Sequence, residues 1–324
     1  LLSFMLILSI KSDSAKNRVK KVYLVIIKNR LSIHFLCFCL MNVHKLVKSR
    51  LLFILIVVSI LLVSFLLAFR EGSKESIQPA KYDYSSRDHT RCKSGSRLGP
   101  TGKSDHEQIA SGIYFAVRTP LNYDNTIQHP LVIVYAPGGK NRFANERITG
   151  LTQEMTTKGF VVAYVDNHPL SIPVINDFST VPNAIEKKWC IDPAKIFLTG
   201  HSDGGTVTAA IGYLPKTKHI PQAIAPSAAG IRKKDLSNFD CPDPISIMVM
   251  QKENDTLFPN YSKELADWWA TCNSCENQTT PVRKGCVEYL NCKQNVQTLF
   301  CETPGEHQEW PRLNKVMIDF FLNS

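Results

Sequence analysis

The 324-residue sequence is 44% apolar and 20% charged and contains no repeat or low-complexity tract, so it encodes a globular protein of one large or two ordinary domains. Its formal charge of +10 is concentrated at one end: residues 1–50 hold ten Lys or Arg against a single acid, Asp13, a net of +9. Residues 51–324 are therefore close to neutral, which argues against a basic nucleic-acid-binding face on the folded part.

The chain opens on Leu1, and residues 1–40 mix short apolar runs with lysines. They read as sequence ahead of a true start at Met41, with Val22–Leu40 a weaker second membrane-associated stretch, and no function is assigned to them. Residues 51–69, LLFILIVVSILLVSFLLAF, are nineteen positions without a charge. At about 1.5 Å per residue, a helix of that length nearly spans the hydrocarbon core of a bilayer. The preceding KLVKSR is a positive flank that stays cytoplasmic and sends the C-terminal side across. A cleaved signal peptide and an uncleaved anchor both fit, since the run is long for a signal core and no clean A-x-A site follows it. A buried core helix fits less well, because no polar position marks a solvent face. Residues 70–110 are polar and rich in Gly and Ser, a linker into a domain at 111–324.

In that domain, apolar β-prone runs recur at 112–119, 130–136, 160–165, 195–200, 221–227, 245–251 and 296–302. Between them the pattern predicts helices over Asn145–Lys158, Val181–Lys188, Gly205–Tyr213, Tyr261–Ala270 and Leu313–Leu322. Several strands are apolar almost throughout, as when helices cover both faces of a mostly parallel sheet. The alternation predicts one α/β domain whose site lies at the carboxyl ends of the strands.

Cys37 and Cys39 precede the apolar segment, and eight cysteines follow it: Cys92, Cys190, Cys241, Cys272, Cys275, Cys286, Cys292 and Cys301. An even count in an exported domain predicts up to four disulfides, with the pairing open. The run from Cys272 to Cys292 fits a zinc ribbon poorly in spacing, and no metal or other cofactor is expected. Asn254, Asn260 and Asn277 each open a glycosylation sequon.

The chemistry centres on Gly200-His201-Ser202-Asp203-Gly204, a G-x-S-x-G between a predicted strand and a predicted helix. That context holds a serine on a sharp turn, with helix N–H groups facing any negative charge that develops. A serine hydroxyl needs a base, and in this arrangement an acid and then a histidine follow it in the chain. KENDTLFP after the 245–251 strand offers Asp255, with Glu253 in reserve, and PGEHQEWP after the 296–302 strand offers His307. His201 adjoins the serine but is expected to point away from it. For the oxyanion, the N–H of Asp203 and that of Gly139 in YAPGGKNR are the expected donors. Trp310 reads either as a wall of the substrate site or as packing beneath the His307 loop, and the first is the working expectation.

The segments RTPLNYDNTIQHPLVIVYAPGG, KGFVVAYVD, WCIDPAKIFLTGHSDGG, ENDTLFP and GEHQEWP together resemble the polyhydroxybutyrate depolymerase and feruloyl esterase group of α/β-hydrolases, over roughly residues 110–312. The resemblance implies an α/β-hydrolase fold and a triad of Ser202, Asp255 and His307, the same three that chain order selects. It implies a secreted or membrane-tethered esterase acting on polyester or on feruloyl or acetyl polysaccharide esters. Two positions depart from the family: Pro137-Gly138-Gly139 replaces a His-Gly, and Asp203 stands where a small or neutral residue is commoner. The rival readings are a serine peptidase or thioesterase on the same fold, and a non-catalytic binding protein at the cell surface.

Overall fold

A computed structural model describes residues 56–60, 76–81, 91–283 and 285–324. The expectations for the basic leader and for most of the apolar segment at 51–69 lie outside the described residues. Residues 56–60, in the unit Leu1–Lys74, are helical. Among the described residues, no helix is long and apolar enough to cross a membrane.

The second unit, Glu75–Ser324, is built on one sheet. Its elements run β1 (Lys103–Gln108), β2 (Tyr114–Arg118), β3 (His129–Tyr135), α1 (Arg142–Thr149), α2 (Thr152–Thr157), β4 (Val161–Val165), α3 (Ile172–Phe178), α4 (Val181–Glu186), β5 (Ile191–His201), α5 (Asp203–Tyr213), β6 (Ala223–Ser227), β7 (Ser246–Asn254), α6 (Tyr261–Cys272), β8 (Thr279–Arg283), β9 (Cys286–Tyr289), β10 (Thr298–Glu306) and α7 (Asn314–Leu322). The ten strands lie in the order β1-β2-β4-β3-β5-β6-β7-β10-β9-β8. From β4 to β10 every neighbouring pair is parallel, and the strands beyond them on both sides are antiparallel.

Alternation along the strands explains the unbroken apolar runs. Leu131, Ile133 and Tyr135 of β3 face one core with Val207 and Ile211 of α5 and the fully buried Trp189 and Trp269. Val132 and Val134 face the other, with Met155 of α2 and Met317, Phe320 and Phe321 of α7. Both faces of the central strands are thus covered, and the helices that cover them leave only the strand ends open for chemistry.

Three features depart from the sequence expectations. The predicted helix at 145–158 is two helices, because Gly150 takes a left-handed φ of 62° and its N–H caps α1 on the Glu146 carbonyl. α3 was unanticipated; Ser171 caps it, its hydroxyl accepting from the Val174 N–H, and Pro173 lies in the first turn. Part of the expected linker belongs to the domain: β1 pairs with β2, and Cys92 is bonded to Cys190. The polar sequence KSDHEQ hides β1, a half-exposed edge strand with no apolar face to betray it.

All eight cysteines of this unit are paired, as Cys92–Cys190, Cys241–Cys272, Cys275–Cys292 and Cys286–Cys301. Cys272 and Cys275 bond outward rather than to each other. The last three bridges gather α6, the β8–β9 hairpin and β10, at the edge of the sheet where β8 is exposed at most of its positions.

Candidate active site

β5 ends at His201, and Ser202 follows at φ 57° and ψ −116°, a conformation rarely open to a residue with a side chain. Holding it costs on the order of 1–3 kcal/mol. The turn is bought by glycines: a Cβ on Gly200 would lie 2.5 Å from the Gly204 backbone, and one on Gly204 would run into the Tyr135 carbonyl. α5 begins at Asp203, and the N–H groups of its first turn have no intrahelical acceptor.

Two loops complete the site. The loop after β7 supplies Asp255, whose Oδ1 accepts the N–H groups of Leu257 and Phe258 at 3.1 and 2.9 Å and so is locked in place. The end of β10 supplies His307. Its Nδ1 lies 2.8 Å from Asp255 Oδ2 and its Nε2 3.0 Å from Ser202 Oγ. Since a carboxylate only accepts, Nδ1 carries the proton toward Asp255 and Nε2 is left to accept from the serine hydroxyl. His307 and Asp255 are both only 7% exposed, so this pair sits out of bulk water. The structure therefore brings Ser202, His307 and Asp255 into one hydrogen-bonded run. Glu253, the reserve acid, is exposed, and His168 packs edge-on against Phe178.

His201 does turn away from the serine, but not into a void. Its Nε2 lies 2.6 Å from the His307 carbonyl and its Nδ1 2.9 Å from Ser227 Oγ. Burial pushes its pKa down to about 4, against a smaller opposing pull from the His307 carbonyl. Lys252, also buried, donates from Nζ to the Pro304 carbonyl at 2.8 Å and faces Glu309 at 3.7 Å, which ties down the strand end that carries His307.

Around Gly139 and Asp203, the expected oxyanion donors, the structure adds a residue the sequence reasoning missed. Gly139 has a left-handed φ of 68°, but its N–H donates to Asn167 Oδ1 at 3.0 Å. Asn167 in turn donates from Nδ2 to Asp203 Oδ2 at 3.2 Å, and the same carboxylate lies against Gly138. The expected donor is thus engaged by a side-chain oxygen. The signal available was slight: Asn167 is simply the second residue past a strand on the site's side of the sheet.

Of the two readings of Trp310, a wall of the substrate site or packing beneath the His307 loop, its surroundings support the second. Trp310 is 4% exposed, donates from Nε1 to Asn314 Oδ1 at 2.7 Å, and presents an edge to His201, so it packs beneath the His307 loop. The aromatic beside the imidazole is Phe258, its ring perpendicular to that of His307 at 5.0 Å and stacked on Tyr261 at 5.4 Å. Sequence spacing hid it because it lies three residues past the acid rather than near the base.

This elbow, with acid and histidine loops at the ends of β7 and β10 of a parallel sheet covered on both faces, defines the α/β-hydrolase fold, and the chain has it. No protein-family model matches the sequence, and no curated protein matches it. Among solved structures, the chain is similar to an acetyl xylan esterase from Aspergillus awamori, with a TM-score of 0.54 and 14% identity over 69% of this chain and 100% of that one. It is also similar to FphF, a fluorophosphonate-binding serine hydrolase of Staphylococcus aureus, with a TM-score of 0.50 and 14% identity over 70% of this chain and 100% of the other.

Proposed function

We propose that the chain is an exported serine hydrolase of carboxylic esters. The observation that carries this reading is the continuous run Ser202–His307–Asp255 at 3.0 and 2.8 Å, with the serine on a strained elbow at the start of a helix. In the proposed mechanism Ser202 Oγ attacks the ester carbonyl carbon while His307 Nε2 takes the hydroxyl proton. Asp255 holds the imidazole and stabilises its charged form. The N–H of Asp203 and that of Gly139, once the Asn167 oxygen gives way, receive the negative oxygen. The tetrahedral intermediate collapses to an acyl-serine as His307 returns its proton to the leaving alcohol. Water, deprotonated by the same nitrogen, then releases the acid and regenerates Ser202.

The substrate class follows from sequence and fold together: the residues quoted above resemble polyhydroxybutyrate depolymerases and feruloyl esterases, and one similar structure is an acetyl xylan esterase. A polyester or an acyl ester of a polysaccharide is accordingly the substrate we infer. Four disulfides and the uncharged segment 51–69 support a location outside the cytoplasm, either free or tethered through that segment. The catalytic unit in this reading spans Glu75–Ser324.

The test is covalent labelling by a fluorophosphonate probe, with Ser202→Ala and His307→Ala as controls, followed by p-nitrophenyl, feruloyl and hydroxybutyrate esters. Labelling of the wild type that both substitutions abolish is expected. A folded wild type that takes no label would overturn the reading in favour of a binding protein. Cleavage of peptides or thioesters in preference to oxygen esters would reassign the substrate.

A further inference from the structure

His201 has no part in the proton transfers above, yet it is 2% exposed and placed by both ring nitrogens. A carbonyl oxygen only accepts, so the nitrogen 2.6 Å from the His307 carbonyl, Nε2, carries the ring's proton. Nδ1 then accepts from the Ser227 hydroxyl at 2.9 Å. Ser227 belongs to β6, where it pairs with His201, and its own carbonyl accepts the N–H of Ser202 at 2.9 Å. One residue therefore grips the elbow twice, Ser202 through the main chain and His201 through the side chain. Trp310, anchored on Asn314, closes the far side of the ring.

The base needs such an anchor. An imidazole that must meet Ser202 at one nitrogen and Asp255 at the other has little slack, and a misplacement of about 1 Å costs on the order of 10²-fold in rate. Lys252 fixes the chain at Pro304, three residues before the base, and Asp255 fixes one edge of the ring. Between them the main chain of His307 is held by His201, the neighbour of the nucleophile in sequence.

We propose that His201 is a positioning residue, whose Nε2–H holds the His307 main chain so that one imidazole reaches both Ser202 and Asp255. The inference rests on the serine-hydrolase reading of the site. It makes the separation of nucleophile and base, 105 residues apart in sequence, depend on one hydrogen bond from the residue beside the serine.

Three substitutions in the full chain, with its disulfides formed, separate this role from packing. His201→Gln keeps an N–H at the reach of Nε2. His201→Phe keeps the ring volume without the donor, and His201→Asn is polar but too short. On p-nitrophenyl acetate, kcat is expected to fall about tenfold in the Phe and Asn variants, equivalent to about 1.36 kcal/mol, with KM unchanged. The Gln variant recovers most of the loss. With 15N-labelled histidine, the exchange-protected Nδ1 proton of His307 should persist in the wild type and in the Gln variant and exchange away in the other two. Equal kcat in all four proteins, or equal losses in the Gln and Phe variants with the proton retained in both, would overturn the inference. If the Phe variant does not fold, the Gln and Asn pair makes the same comparison. Should the wild type cleave no ester, the hydrolase reading fails on its own, and the proton's protection still decides whether His201 holds His307.

Discussion

Arg118→Met is expected to destabilise the domain severely, and adding Glu146→Leu to repair most of the damage. Arg118 lies in β2 with Nε and Nη2 each 2.7 Å from one carboxylate oxygen of Glu146 in α1, and with Asp105 2.7 Å from Nη1. The side chains of Arg118, Glu146 and Asp105 are 3%, 12% and 39% exposed. Burial works against the charge on Arg118, but Glu146 and then Asp105 outweigh it, so the guanidinium is held charged above its usual range. The Asp105 side chain is only partly buried and makes a single contact, so the bidentate pair with Glu146 decides the outcome. Removing one partner of a buried pair costs about 3–5 kcal/mol, because the Glu146 charge stays behind with only the Thr152 hydroxyl, 2.8 Å from Oε1, to meet it. Replacing both with apolar groups removes that penalty. For a domain of this size the single variant should lower Tm by roughly 6–20 °C, at about 2–4 °C per kcal/mol. Thermal and urea unfolding of the oxidised protein measure both. A loss under about 1 kcal/mol for Arg118→Met, or a double variant no more stable than the single, would refute the reasoning.

Buried neutral, with a pKa near 4 against 6.5 when unfolded, His201 contributes stability that is complete above pH 6.5 and lost as pH falls toward 4. The total is about 3.4 kcal/mol, of which about 2.4 kcal/mol falls between pH 7 and 4.5, so over that range the wild type should lose about that much more than His201→Gln in urea unfolding; parallel pH dependences would contradict the assignment. The Cys92–Cys190 bridge closes 98 residues, and replacing both cysteines by serine should cost about 4–5 kcal/mol in guanidinium unfolding by the chain-entropy argument. No change in the midpoint would mean the unfolded chain is already constrained there. Asn167→Ala removes the oxygen that engages the Gly139 N–H, and a release of about 0.5–1.5 kcal/mol should raise kcat on small esters roughly 2–10-fold. A fall in kcat would instead make Asn167 a support of the oxyanion loop.

Much of the architecture is legible in order along the chain. A parallel sheet covered on both faces writes its central strands as apolar runs, so β3, β4, β5, β6 and β7 stand out at 130–135, 161–165, 196–200, 223–227 and 246–251. Elements with one face in solvent do not: β1 is polar and half exposed, and in the β8–β9 hairpin β8 is mostly exposed, with Cys286 and Tyr289 of β9 its buried residues. The break in the predicted helix at 145–158 was written in Gly150, whose left-handed cap only becomes a stop once α1 and α2 pack separately.

The G-x-S-x-G spacing and the order Ser202, Asp255, His307 are properties of sequence alone, because a nucleophile elbow dictates local glycines and the strand order dictates which loops follow. Which of two nearby acids turns toward the imidazole is not written in their spacing, but it is settled within one loop. Asp255 does so because its Oδ1 is capped by the N–H groups of its own loop, while Glu253 faces solvent. Tertiary structure alone decided that Trp310 packs against His201 beneath the His307 loop, that Phe258 stands beside the His307 imidazole, that Asn167 engages the Gly139 N–H, and that His201 reaches a carbonyl 106 residues away. Each of these depends on where two distant segments meet, and no periodicity or spacing within either segment encodes that distance.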